Sequence, residues 1–202
     1  MPLDDFENNP DWDIEDPVHG DIYKRAEHLL QTRRNDIHTR ISYHFAMRLL
    51  TKEGGNPEVV APAILLHDIG YSEIPEDQLL FAFGPKIEKP ELKKLHETAG
   101  AELAGKILHE IDYPEERIIK IQQIINGHDS RETALSLEDM IVKDADKLFR
   151  FSHEGFIIDY QRFKREPHEW INYLKQHIEP WFFTASGEKM AQSEIEKRKK
   201  EL

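Results

Sequence analysis

From Asp21 to the C-terminus the apolar residues recur every three or four positions and nowhere alternate, which commits the chain to helices packed on one another rather than to a sheet. Ile41, Phe45 and Leu49 mark one stripe, in a helix expected from about Asp36 to Glu53 and ended by Gly54-Gly55. Asn56-Pro57, a cap followed by a first-turn proline, opens the next, which runs through Val59, Val60, Ala63, Ile64 and Leu66 and stops near Gly70. Asp21 is the expected cap of a first helix carrying Ile22, Ala26, Leu29 and Leu30. Further helices are expected from about Glu91, after Pro114 as far as Gly127, and from about Leu137 to Phe151. An aromatic-rich helix with Phe156, Tyr160 and Phe163 follows, then another after Pro167 with Trp170, Tyr173, Leu174 and Ile178. Trp181-Phe182-Phe183 is expected to close the core, and residues 187–202 read as a charged helix that frays. The fold class is therefore all-α, with an acidic arm over 1–20, one helical domain over 21–185 and a charged C-terminal helix over 186–202. Residues 71–90 form the least regular stretch, of a length often used as a lid or binding element.

Composition narrows the function. The chain has no cysteine, which excludes disulfides, thiolate zinc sites and cysteine nucleophiles and suits a cytoplasmic location. No apolar run approaches the roughly 18 residues of a membrane span, so no membrane partner is expected. The formal charge of −12 makes the chain a poor binder of nucleic acid duplexes. An anionic substrate would need a local positive site, and a metal ion is an obvious source.

Such a site is suggested where the apolar run Ala63-Ile64-Leu65-Leu66 ends in His67-Asp68-Ile69-Gly70. A histidine and an aspartate beside a core cost free energy unless something satisfies them, and a divalent cation would satisfy both. The dipeptide alone is weak evidence, since His128-Asp129 repeats it. Other candidates lie on helices or at their ends: His38, His96, His128, Asp144 and Asp146. Helices of a bundle can gather such side chains into one pocket. Asp144 and Asp146, two positions apart on a helix, point about 200° away from each other, so one metal is not expected to engage both.

The order His38, His67-Asp68, then an aspartate in Val142-Lys143-Asp144-Ala145-Asp146-Lys147-Leu148 resembles the HD-domain superfamily of metal-dependent phosphohydrolases. His96-Glu97-Thr98-Ala99-Gly100-Ala101 and Ile124-Ile125-Asn126-Gly127-His128 are similar to two further family elements, and the likeness covers roughly residues 22–165. The resemblance implies His38, His67, Asp68 and Asp146 as metal ligands, with Asp144 as the alternative late ligand. It implies His96 and His128 either as ligands of a second metal or as residues lining the substrate pocket. One or two manganese, iron, cobalt, nickel or zinc ions suit such ligands better than magnesium. Asp68 would also orient the attacking water, and Lys147 is the first candidate for a phosphate contact, with Arg34 and Arg131 as weaker ones. His96 and His128 are the remaining candidates for a part in catalysis, and Asp129 is read as incidental.

The implied activity is hydrolysis of a phosphate ester or anhydride in a nucleotide or another small phosphorylated metabolite. The motifs of cyclic-dinucleotide phosphodiesterases are absent: Tyr71, not lysine, follows Gly70, and there is no Gly-Tyr-Pro. Two other classes compete: a dinuclear iron oxygenase using the same six side chains, and a non-catalytic helical binding module. A homo-oligomer is compatible with the sequence.

Overall fold

The computed structural model describes residues 13–79 and 89–202, and it contains ten α-helices and no strand among them. Helix α1 (Pro17–Ala26) is capped by Asp16 rather than Asp21. The Asp16 carboxylate accepts from the N–H groups of Val18 at 2.9 Å and His19 at 3.0 Å. Pro17 sits in the first turn, where its missing N–H costs nothing, so the helix begins inside the stretch expected to be an arm.

Helices α2 (Asn35–Glu53) and α3 (Pro57–Leu66) come next. Then α4 (Pro90–His109) and α5 (Glu115–Ile125) form a pair, and α6 (Leu137–Phe149) returns across α2 and α3. Every residue of α3 from Val59 to Leu66 is buried. A helix apolar on all sides belongs in the middle of a bundle, and α3 packs on α1, α2, α5 and α6. Ile64, Leu65 and Leu66 are fully buried, each stabilising the fold by about 1.5–3 kcal/mol through burial. The helix ends at Leu66, short of the expected stop, with His67 as its C-cap. Its central position therefore delivers His67 and Asp68 into the interior.

Two expectations for the C-terminal third are corrected. Phe151 fills the core, whereas Trp181 and Phe182 are half-buried and Phe183 is 39% exposed. Trp181 and Phe182 pack against the edge of the core, each meeting Phe151, and only Phe183 leaves it, because Trp181 ends the short helix α9 (Ile178–Trp181), which follows α7 (His153–Arg162) and α8 (Pro167–Gln176) on the outside of the bundle. Helix α10 (Ala185–Glu201) does not fray: it docks on α2, α6 and α8 through buried Met190, Ala191 and Ile195. Its Arg198 is buried beside Glu201 at 2.8 Å. No helix among the described residues is long and apolar enough to cross a membrane.

Candidate metal centre

Where the ends of α3 and α5 meet the first turn of α2, the N-terminal half of α4 and the last turn of α6, four imidazoles and two carboxylates converge: His38, His67, His96, His128, Asp68 and Asp146. All six are buried, none more than 8% exposed. On one side, His38 Nε2 lies 2.9 Å from His67 Nε2 and 3.3 Å from Asp146 Oδ1. On the other, His96 Nε2 lies 3.4 Å from His128 Nε2. Asp68 stands between the two pairs. Its Oδ2 is 3.4 Å from His38 Nε2 and 3.6 Å from His67 Nε2, while its Oδ1 is 3.4 Å from His128 Nε2 and 4.0 Å from His96 Nε2.

The main chain fixes which imidazole nitrogen faces inward. His67 Nδ1 is 2.7 Å from the carbonyl of Ile64, and His128 Nδ1 is 2.9 Å from that of Ile125. A carbonyl can only accept, so each Nδ1 carries a proton and each ring turns its Nε2 inward, as a lone-pair donor to a cation whenever the ring is neutral. Lone pairs and carboxylate oxygens aimed at shared points repel one another unless a cation lies between them. Burial keeps His67 and His96 neutral by lowering both to about 4. Burial pushes the Asp68 carboxyl up, but the imidazoles around it, His67 first, outweigh this and hold it well below the usual carboxylate range. Asp146 is pulled down in the same way by Lys147 and His38. Every basic side chain within 4.0 Å of Asp68 among the described residues is an imidazole. A buried carboxylate with no Lys or Arg partner is electrostatically incomplete. The residues fit a divalent cation on two counts, donor chemistry and uncompensated charge, and the triads His38–His67–Asp146 and His67–Asp68–His128 each bring three donor atoms within 4.8 Å of one another.

The two sides are joined by a close backbone crossing. A Cβ on Gly70 would collide with the His96 carbonyl oxygen and with Gly100 N, so only glycine lets the turn after Asp68 lie against α4. Around His128, Lys143 donates to the carbonyls of Gly127, His128 and Arg131 at 2.7, 2.8 and 2.9 Å. Glu97, fully buried beside His96, accepts from the N–H groups of Asp129 at 2.9 Å and Ser130 at 2.6 Å.

Asp146 points into the centre, whereas Asp144 points the other way. Asp144 accepts from Phe183 N at 2.8 Å, Thr184 N at 2.9 Å and Thr184 Oγ1 at 2.7 Å, anchoring the turn into α10. Lys147 Nζ lies 2.7 Å from Asp146 Oδ2 and lines the central pocket. Arg131 does not line the central pocket, and its guanidinium binds Asp139 at 2.7 Å and the carbonyls of Gln123, Asn126 and Thr133. Arg34 is not among the residues lining the pocket; Arg33 is. Both adopt left-handed backbone, φ 58° and 60°, unusual for side chains of this size and a strain typically kept at functional sites. That turn sets the Arg33 guanidinium 5.5 Å above the Tyr71 ring, which itself stacks on His96 at 4.6 Å. Asp129 is not incidental, since it lies 3.2 Å from Lys93 Nζ and 3.5 Å from Lys147 Nζ.

The pocket over the centre has a volume of about 40 Å³, room for an ion and its water. Arg33, Arg150 and Arg162 complete its rim. Sequence reading missed these arginines, as well as Lys143 and Glu97; the last two sit inside recognised motifs, which was the available signal. Phe81 and Phe83 in the irregular stretch lie outside the described residues.

Residues 35–150 match the model of the HD domain family. The chain belongs to the HD domain superfamily of metal-dependent phosphohydrolases. No curated protein and no solved structure matches it. The matched segment begins three residues before His38 and ends four after Asp146, so it encloses the whole histidine–aspartate cluster of this HD domain.

Proposed function

We propose that this HD-domain protein hydrolyses a phosphate ester or anhydride of a small phosphorylated metabolite, with His38, His67, Asp68 and Asp146 holding a divalent metal and His96 and His128, with Asp68, holding a second. One observation carries the reading: the two oxygens of Asp68 face two separate imidazole pairs, at 3.4–3.6 Å on one side and 3.4–4.0 Å on the other. A carboxylate so placed would serve as a ligand alongside either imidazole pair. When bound, a divalent cation supplies Lewis acidity and lowers the pKa of a coordinated water toward neutrality.

The chain's own groups do the rest. Lys147 Nζ donates to a phosphoryl oxygen, held in place by Asp146 and Asp129. Arg33, Arg150 and Arg162 offset the negative charge of the substrate in a protein that is acidic elsewhere. Arg150 and Arg162 are pinned on Asp159 at 2.7 and 3.0 Å, so their positive charge is preorganised. In the net reaction a water oxygen bonds to phosphorus, the ester or anhydride P–O bond breaks, and the leaving oxygen takes a proton. Mn, Fe, Co, Ni and Zn suit the imidazole and carboxylate set better than Mg.

The test is metal analysis of protein purified without added metal, followed by phosphate release from a panel of phosphomonoesters and nucleotides with manganese, cobalt and nickel. Turnover lost in His67→Ala supports the reading. Two irons per chain with oxygen uptake and no phosphate release would establish the oxygenase class instead, and bound metal with no turnover would leave a binding module.

A further inference from the structure

Beside the central pocket, and sharing Arg33, Tyr71, His128, Asp129, Lys147 and Arg150 with it, opens a second cleft of about 600 Å³. This is within the range of sites for small organic ligands. Its outer wall is aromatic: Phe163, Trp170, Tyr173, Trp181 and Phe183. All five lie beyond residue 150, outside the segment matched to the HD family, so this wall is a feature of the chain's own C-terminal third.

The wall is organised. Trp170 and Tyr173 stack nearly parallel, 4.7 Å apart at 11°. Tyr173 meets Trp181 edge-on at 6.0 Å, with His177 between them at 4.1 and 4.6 Å. Tyr173 and Phe183 remain 37% and 39% exposed, although large aromatic rings normally bury their faces. Trp170 is only 4% exposed, yet its indole Nε1–H has no hydrogen-bond partner. Buried indole donors are normally satisfied. The opposite wall carries Lys93 and Glu132 as well as the cations over the metal centre. An acyl chain would strand those charges, whereas a planar ring with an apolar face and a polar edge matches both walls.

We propose that this cleft binds the base of a nucleotide whose phosphate reaches Lys147 and Arg33 over the metal centre. This deepens the phosphohydrolase reading and rests on it for the position of the phosphate, while the base site stands on the aromatic wall. Rings on such a wall bind any base through its π-face, and the stacking is worth about 5- to 150-fold in affinity per base.

The test titrates the full-length protein as purified with AMP, GMP, CMP, UMP, adenosine and ribose 5-phosphate, following tryptophan fluorescence and equilibrium dialysis. Two of its three tryptophans line the cleft. At least one nucleotide is expected to bind about fivefold or more tighter than ribose 5-phosphate, with adenosine competing. Tyr173→Ala and Phe183→Ala, each at an exposed position, are expected to remove that margin while the melting temperature holds. Ribose 5-phosphate binding as tightly as all four nucleotides would overturn the proposal, as would a margin that survives both substitutions. Adenosine binding requires no hydrolysis, so the two readings fail separately. Base binding without phosphate release breaks the hydrolase assignment alone, and phosphate release from ribose 5-phosphate without base preference breaks the cleft alone.

Discussion

The metal centre and the aromatic cleft adjoin, yet they are built in opposite ways. In the centre every donor is buried, the Ile64 and Ile125 carbonyls set the orientation of two imidazoles, and a glycine crossing joins the halves. In the cleft the rings other than Trp170 are partly exposed, and those of Trp170, Tyr173 and Trp181 brace one another with His177. The first design fixes chemistry that depends on sub-ångström placement. The second tolerates variation in what it holds. The division follows the sequence, since the centre lies within the family segment 35–150 and the aromatic wall follows it.

The sharpest way to break this contrast is to remove the carboxylate that faces both imidazole pairs. Asp68→Ala is expected to lower turnover by more than about a hundredfold, beyond the range seen when groups supporting a ligand are removed. Elemental analysis should find little metal left in it, and an unchanged metal content would place the centre elsewhere. Asp144→Ala should do the reverse. It strands Phe183 N, Thr184 N and Thr184 Oγ1, and urea unfolding should show a loss of about 1–3 kcal/mol for each buried donor left unpaired. Its metal content should match the parent, because Asp144 faces α10 and not the centre. Gly70→Ala is expected to cost about 1–3 kcal/mol from the collision with α4. It should also weaken metal binding at the His96 side first, read as a split in a metal titration.

The smallest effect concerns pH. His67 and His96 are lowered to about 4 in the fold, against about 6.5 in an unfolded chain. The unfolded state therefore binds protons first, and the stability these rings contribute is complete above pH 6.5 and is lost as pH falls toward 4. Asp144, raised by burial to about 6, acts oppositely: its contribution is present below about pH 4 and is lost as pH rises through 6. His128 is shifted up on balance, because Asp68 outweighs its burial, and it too opposes the trend. With these partly cancelling, the melting temperature of metal-free protein is expected to fall modestly between pH 7 and pH 5. A melting temperature that rises over this interval would show that His67 and His96 are not held neutral.

Much of this was legible in the sequence. Helical periodicity specified the bundle, and the glycines and prolines placed its breaks within a few residues. The all-apolar run of α3 marked a central helix, so the two polar residues at its end had to be interior. The opposite directions of Asp144 and Asp146 followed from helical geometry, although the partner of Asp144, the turn at Phe183 and Thr184, did not. What escaped was long-range pairing. Nothing local distinguishes Arg131, spent on Asp139 and three carbonyls, from Arg33, which lines the pocket. Asp129 looked incidental because Lys93 and Lys147, its partners, lie far from it in sequence. An aromatic tripeptide at 181–183 reads as core by composition, and only the short α9 helix turns it toward a cleft.

The crossing of Gly70 against α4 has a consequence for how this centre can vary. The span between its two halves is written in the main chain, as the contact distance of two backbones, rather than in any side chain. Ligands on either side can therefore be exchanged one at a time, for other metals or other chemistry, without resetting the gauge between the two positions.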